Sequence, residues 1–167
     1  VGKSFSANAI VKFLKSEGRS LSVEAVYNYL EWLEKAFVIY RCQRYDLQGK
    51  SVLKTQEKFY LADASLKYCI MGFNPKSIAS MLENIVYFEL LRRGYEVYIG
   101  KLNTREIDFV AVRRDERVYV QVCRNLPEDS DREIGNLLDI KDHYPKYVVT
   151  LDDLAGGNVN GVKIIHL

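Results

Sequence analysis

Glu106-Ile107-Asp108 and Gln121-Val122-Cys123 are the segments of this chain whose residue types and spacing could do chemistry. They belong to two β-rich runs, Ile107–Arg113 and Val118–Cys123, with the charged turn Arg113-Arg114-Asp115-Glu116-Arg117 between them. Runs joined so closely read as neighbouring strands, which sets Asp108 beside Gln121. Glu83 lies on a helix that is apolar on most sides (Ile78, Leu82, Ile85, Val86, Leu90, Leu91) and so must lie on the sheet. From there a carboxylate can reach over the sheet edge toward Asp108. Glu83, Asp108 and Gln121 would then form an oxygen-rich cluster able to hold Mg²⁺. Metal-assisted hydrolysis of a phosphodiester uses two carboxylates for the ion and a lysine to orient the attacking water. In this chain Gln121 offers only one neutral oxygen, which weakens the hold on Mg²⁺, and Cys123 cannot replace an ammonium. Lys101 and Arg124 are the basic residues close enough in sequence to move in. The opposing expectation is a structural remnant, with Glu83 and Asp108 satisfied by hydrogen bonds and no metal.

A second set of chemically suggestive residues is basic. Ser6–Lys15 has apolar residues at Ala9, Ile10, Phe13 and Leu14, the spacing of an amphipathic helix that Gly18 ends. Ser22 can cap a second helix, with an expected core stripe of Val23, Val26, Leu30, Leu33 and Phe37. Two short helices joined this way make a helix-turn-helix arrangement. A hairpin follows, Val38–Tyr45 turning through Asp46–Lys50 and returning to Leu61. It carries Arg41, Arg44, Lys50, Lys54 and Lys58, the candidates for contact with a nucleic-acid backbone. Base reading is not expected, because the second helix presents Glu24, Glu31 and Glu34 beside Tyr27 and Asn28.

The elements that must position these residues continue with a helix over Asp63–Met71, closed by Gly72. Asn74-Pro75 marks a boundary, giving two expected modules, 1–74 and 75–167. The second reads as a helix over Lys76–Arg93, three strands, a helix over Asp129–Lys141, and strands at Tyr147–Leu151 and Val162–Leu167. The expected class is α+β or α/β.

Composition narrows the functional classes. Residues 1–62 carry 10 basic and 6 acidic side chains, against 14 and 16 in residues 63–167. A mild excess of that kind fits an anionic partner but does not require one. No run approaches the roughly 20 apolar residues that span a bilayer, and no secretory signal opens the sequence. Three unpatterned cysteines and two histidines give no zinc motif and fit a reducing, cytoplasmic setting. Cys69 and Cys123 are expected core thiols. Gly2-Lys3-Ser4 lacks the strand and first glycine of a phosphate-binding loop and reads as coincidence. The first residue, Val1, suggests a piece of something longer.

The chain resembles the C-terminal region of a large family of prokaryotic AAA-superfamily ATPases, a region known as a domain of unknown function. The blocks that carry the resemblance include Arg44-Tyr45-Asp46, Lys58–Asp63, Leu82–Tyr87, Arg92–Tyr95, Glu106–Val110, Tyr119–Val122 and Tyr144-Pro145-Lys146. It implies a winged helix, partial here, followed by a restriction-endonuclease-like α/β domain. Some relatives keep Glu-x-Lys where this chain has Gln121-Val122-Cys123. It further implies an N-terminal ATPase module, with its ATP and Mg²⁺, as the natural partner, and no cofactor in these residues. The functional expectation is a non-catalytic regulatory region that binds DNA, non-specifically, or a protein partner. Two alternatives stand beside it: an Mg²⁺-dependent nuclease with a degenerate site at Glu83, Asp108, Gln121 and Cys123, and a protein-interaction or homo-oligomerisation module.

Overall fold

The computed structural model describes residues 6–126, 131–153 and 156–167. Gly2-Lys3-Ser4 therefore lies outside the described residues, as do the side chains of residues 54–56 and 131–133. Helix α1 (Ala7–Ser16) opens with Ser6, whose hydroxyl accepts from the Ala9 N–H. Helix α2 (Val23–Lys35) opens the same way, with Ser22 accepting from Ala25. Each cap satisfies an amide that a helix start otherwise leaves unpaired.

Strands β1 (Ile39–Asp46) and β2 (Ser51–Leu61) form the expected hairpin. Then come α3 (Ser65–Met71), a 3-10 turn at Pro75–Ser77 and the long α4 (Ile78–Arg92). Strands β3 (Glu96–Leu102), β4 (Arg105–Arg113) and β5 (Glu116–Cys123) follow as an antiparallel meander. Helix α5 (Asp131–Leu138), β6 (Lys146–Thr150), β7 (Gly157–Val159) and β8 (Val162–His166) complete the chain. The short β7 was not anticipated; three exposed residues carry no apolar alternation to reveal it.

The eight strands among the described residues belong to one mixed sheet, in the order β2-β1-β3-β4-β5-β6-β8-β7. Strand β1 pairs in parallel with β3, from Arg44 opposite Ile99 to Asp46 opposite Lys101. Strands from either side of Asn74-Pro75 thus share a sheet. Helix α4 covers one face, where Val86, Tyr87 and Leu90 meet Tyr60, Ile99, Phe109 and Val120. Helix α5 covers the other, with Ile134 and Leu137 against Ile107, Tyr119, Val148 and Val162.

Two expectations about the core need correction. Leu33 and Phe37, placed on the core stripe of the second helix, are 40% and 70% exposed, and Phe13 on the amphipathic first helix is 63% exposed. Among the described elements the main contacts of α1 and α2 are with each other and with β1. Cys69 is exposed as well, since α3 has no buried residue, while Cys42 is the fully buried thiol.

Candidate functional site

The site is built where β4 departs from regular pairing. Tyr98 lies opposite Val110 and Gly100 opposite Ile107, so β4 carries one residue more than β3 between those rungs. Such a bulge re-aims side chains. The close approach there needs a glycine: a Cβ on Gly100 would sit 2.8 Å from Ile107 Cβ and 2.9 Å from Val110 Cγ2.

On the other side, the β4–β5 ladder runs out at Phe109 opposite Val120. Asp108 and Gln121 supply the next links with their side chains. The Asp108 N–H donates to Gln121 Oε1 at 2.8 Å, and the Val122 N–H donates to Asp108 Oδ2 at 2.8 Å. Gln121 is 5% exposed. A neutral amide suits this place, because a second carboxylate beside Asp108 would add repulsion in a poorly solvated gap. Asp108 and Gln121 do come together as the sequence suggests. They meet as stitches between two separating strands.

Glu83 is drawn into a different set of contacts. Its Oε1 accepts from Lys58 Nζ at 3.0 Å and from the Tyr60 hydroxyl at 2.5 Å. Lys58 Nζ also lies 2.7 Å from Glu106 Oε1, and Glu106 Oε2 accepts from Arg44 at 2.8 Å. Arg44 and Lys58 are 6% and 3% exposed. Alternation along β1 and β2 puts Arg44 on the same face as buried Cys42, and Lys58 on the same face as buried Tyr60. Burial alone would lower the proton affinity of Lys58. Glu83 and Glu106, with a smaller contribution from Asp108, outweigh that and hold the ammonium above the ordinary lysine range. The Tyr60 hydroxyl is pushed far up by burial and then by Glu83, so it stays protonated and donates.

The basic residue that reaches the carboxylates is therefore Lys58 of the hairpin. Lys101 is a register partner of Glu106 on β3, and Arg124 is exposed at the end of β5. Cys123 packs against the α5-side core, on the opposite face of the sheet from Tyr60 and Val86. Among the described residues, no group of three His, Cys, Asp or Glu side chains is arranged to hold a metal ion. Glu83 Oε1 already accepts from Lys58 and Tyr60, and Asp108 Oδ2 from the Val122 amide.

The five basic candidates for phosphate contact separate into groups. Arg44 and Lys58 face inward, neutralised by glutamates, and are not available to a phosphate backbone. Arg41 is engaged by Glu34 at 2.6 Å and lies over the Phe59 ring. Lys50 is exposed in the hairpin turn, and the side chain of Lys54 lies outside the described residues.

Asn84, which sequence reasoning passed over, is the clearest missed residue. Its Oδ1 accepts from the Leu61 N–H and its Nδ2 donates to the Leu61 carbonyl, both at 2.9 Å. An amide 3% exposed on an otherwise apolar helix was the available signal. It fastens α4 to the edge strand β2 and so holds Glu83 over Lys58.

Comparison with known proteins adds family context. Residues 1–77 match a family described as Domain of unknown function (DUF8612). An uncharacterized protein of Haemophilus influenzae is 40% identical over all 167 residues, which cover 42% of its own length. An uncharacterized protein of Methanocaldococcus jannaschii is 30% identical over 165 residues, 96% of this chain and 34% of that protein. The chain thus spans less than half the length of these relatives. No solved structure matches it.

Proposed function

We propose that this chain is a non-catalytic, partner-engaging region of a longer AAA-type ATPase, cytoplasmic, with a winged-helix-like first part and a restriction-endonuclease-like second part. The engagement of its polar cluster by neighbouring donors carries the reading. A phosphodiesterase keeps carboxylate oxygens available for an ion and a water. Here Lys58 and Tyr60 both donate to Glu83 Oε1, and Arg44 and Lys58 engage the two oxygens of Glu106. Asp108 and Gln121 are spent on holding β4 to β5. The extra length of both relatives supports the idea of accompanying modules, to which ATP and Mg²⁺ would belong. A protein partner is favoured over DNA, because Arg44 and Lys58 are turned inward.

The test is supercoiled plasmid incubated with the chain in Mg²⁺ or Mn²⁺, where no nicking is expected. Metal-dependent nicking that vanishes in Asp108→Ala would replace this reading with the nuclease one. One observation favours that second reading: Lys58 brings an ammonium to within 3.0 Å of Glu83, in the role Cys123 cannot fill.

A further inference from the structure

We infer that the exposed apolar face of α1 and α2 is the docking surface for another part of the same longer polypeptide. This rests on the reading above that the chain is one region of a longer protein. Phe13, Trp32 and Phe37 are 63%, 59% and 70% exposed, and Ile10, Tyr29 and Leu33 are exposed beside them in sequence. Their spacing is regular. Tyr29, Trp32 and Leu33 follow the i, i+3, i+4 rule along one side of α2, as Ile10 and Phe13 do along α1. The Tyr29 and Trp32 rings meet edge to face at 5.5 Å, so the aromatic surface is already ordered. Single exposed apolar side chains are normal, whereas a periodic stripe of them marks a surface that something covers. Tyr, Trp and Phe are also the residues enriched at protein interfaces.

Along α2 the charges argue for a protein occupant, while α1 carries the exposed Lys12 and Lys15. Glu31 is paired with Lys35 at 2.6 Å, and Glu34 with Arg41 at 2.6 Å. With Glu24, these carboxylates leave no cationic field on α2 to attract phosphates. The relatives argue for an occupant in cis. In the Haemophilus influenzae protein the region 40% identical to this chain is 42% of the length, so the counterpart of this face comes with much additional chain. A tethered partner also acts at high effective concentration, and can cover an apolar stripe through a modest interface.

Hydrogen–deuterium exchange tests the assignment on the 167-residue chain and on the protein encoded by the complete reading frame. Residues 7–16 and 23–37 should exchange about tenfold more slowly in the complete protein, while residues 97–111 exchange alike in both. In the complete protein, Phe13→Asp or Phe37→Asp should restore fast exchange; both side chains are exposed, so either variant should fold. Equal exchange in the two proteins overturns the docking surface and leaves the longer-protein reading standing. A complete reading frame no longer than this chain overturns that reading itself. Slowing of these helices in the isolated chain as its concentration rises assigns the face to a second copy, and slowing on adding duplex DNA assigns it to nucleic acid. Either result overturns the proposal.

Discussion

Helices α4 and α2 are both rich in large apolar residues, yet only one is under cover. In α4, Met81, Leu82, Val86, Tyr87 and Leu90 are buried, because strands β2, β3, β4 and β5 lie beneath it. In α2 only Val26 is buried, and Tyr27, Tyr29, Trp32 and Leu33 are exposed. The contrast extends to polar groups. On α4, Glu83 and Asn84 are engaged by partners from β2; on α2, Glu31 and Glu34 form ion pairs at the surface. Apolar periodicity reports which side of a helix seeks shelter. It does not report which molecule supplies it.

The comparison breaks first at Lys58. Lys58→Met leaves Glu83 and Glu106 without their shared ammonium, and should cost about 3–5 kcal/mol in urea unfolding. The two carboxylates raise the folded-state pKa of Lys58. Its contribution is therefore complete below the unfolded lysine value and fades as pH climbs through the raised one. An alkaline unfolding series should lose that dependence in the variant. Asn84→Ala comes next, at about 1–3 kcal/mol, because both polar groups of Leu61 lose their partner. Loss below about 0.5 kcal/mol would mean that the edge strand is held by something else.

Gln121→Glu should cost about 1–2 kcal/mol near neutral pH through repulsion with Asp108. The new carboxyl would have a raised folded-state pKa, so the deficit should shrink as pH falls and grow as pH rises past its unfolded value. Equal stability with wild type across pH 4–8, to be read from thermal unfolding, would contradict the stitching role of the neutral amide. On the uncovered side, Phe13→Ser and Phe37→Ser should each change the stability of the isolated chain by less than about 0.5 kcal/mol. A larger loss would show those rings to be sheltered within this chain. The smallest effect belongs to Glu89, whose carboxyl is held down to about 2 by hydrogen bonds from Arg92 and Arg93. Its contribution is present above the ordinary value of 4.5 and fades as pH falls toward about 2. Glu89→Gln should flatten that acid limb in unfolding curves.

Much of the fold was legible because local chemistry decided it. Ser22 caps its helix where expected, Ser6 caps the helix expected to start there, and Gly18, Gly72 and Gly94 sit at positive φ where helices stop. The adjacency of Asp108 and Gln121 followed from two strands joined by a short charged turn. What could not be read was long-range. Lys58 and Glu83 are 25 residues apart, and no periodicity links a hairpin lysine to a helical carboxylate. Basic residues on a hairpin resemble a surface for phosphates until the sheet order turns Arg44 and Lys58 inward. The exposure of Phe13 and Phe37 was equally hidden, since a stripe that meets a partner is written like one that meets a core.

The parallel seam between β1 and β3 has a practical consequence for anyone dividing this gene. Severing the polypeptide near Asn74 would strip the meander of its flanking hairpin and bare the backbone of β3. The detached hairpin would retain Lys58 with neither glutamate to answer it. Each half would expose an adhesive border, and the pair should recover solubility only when produced together.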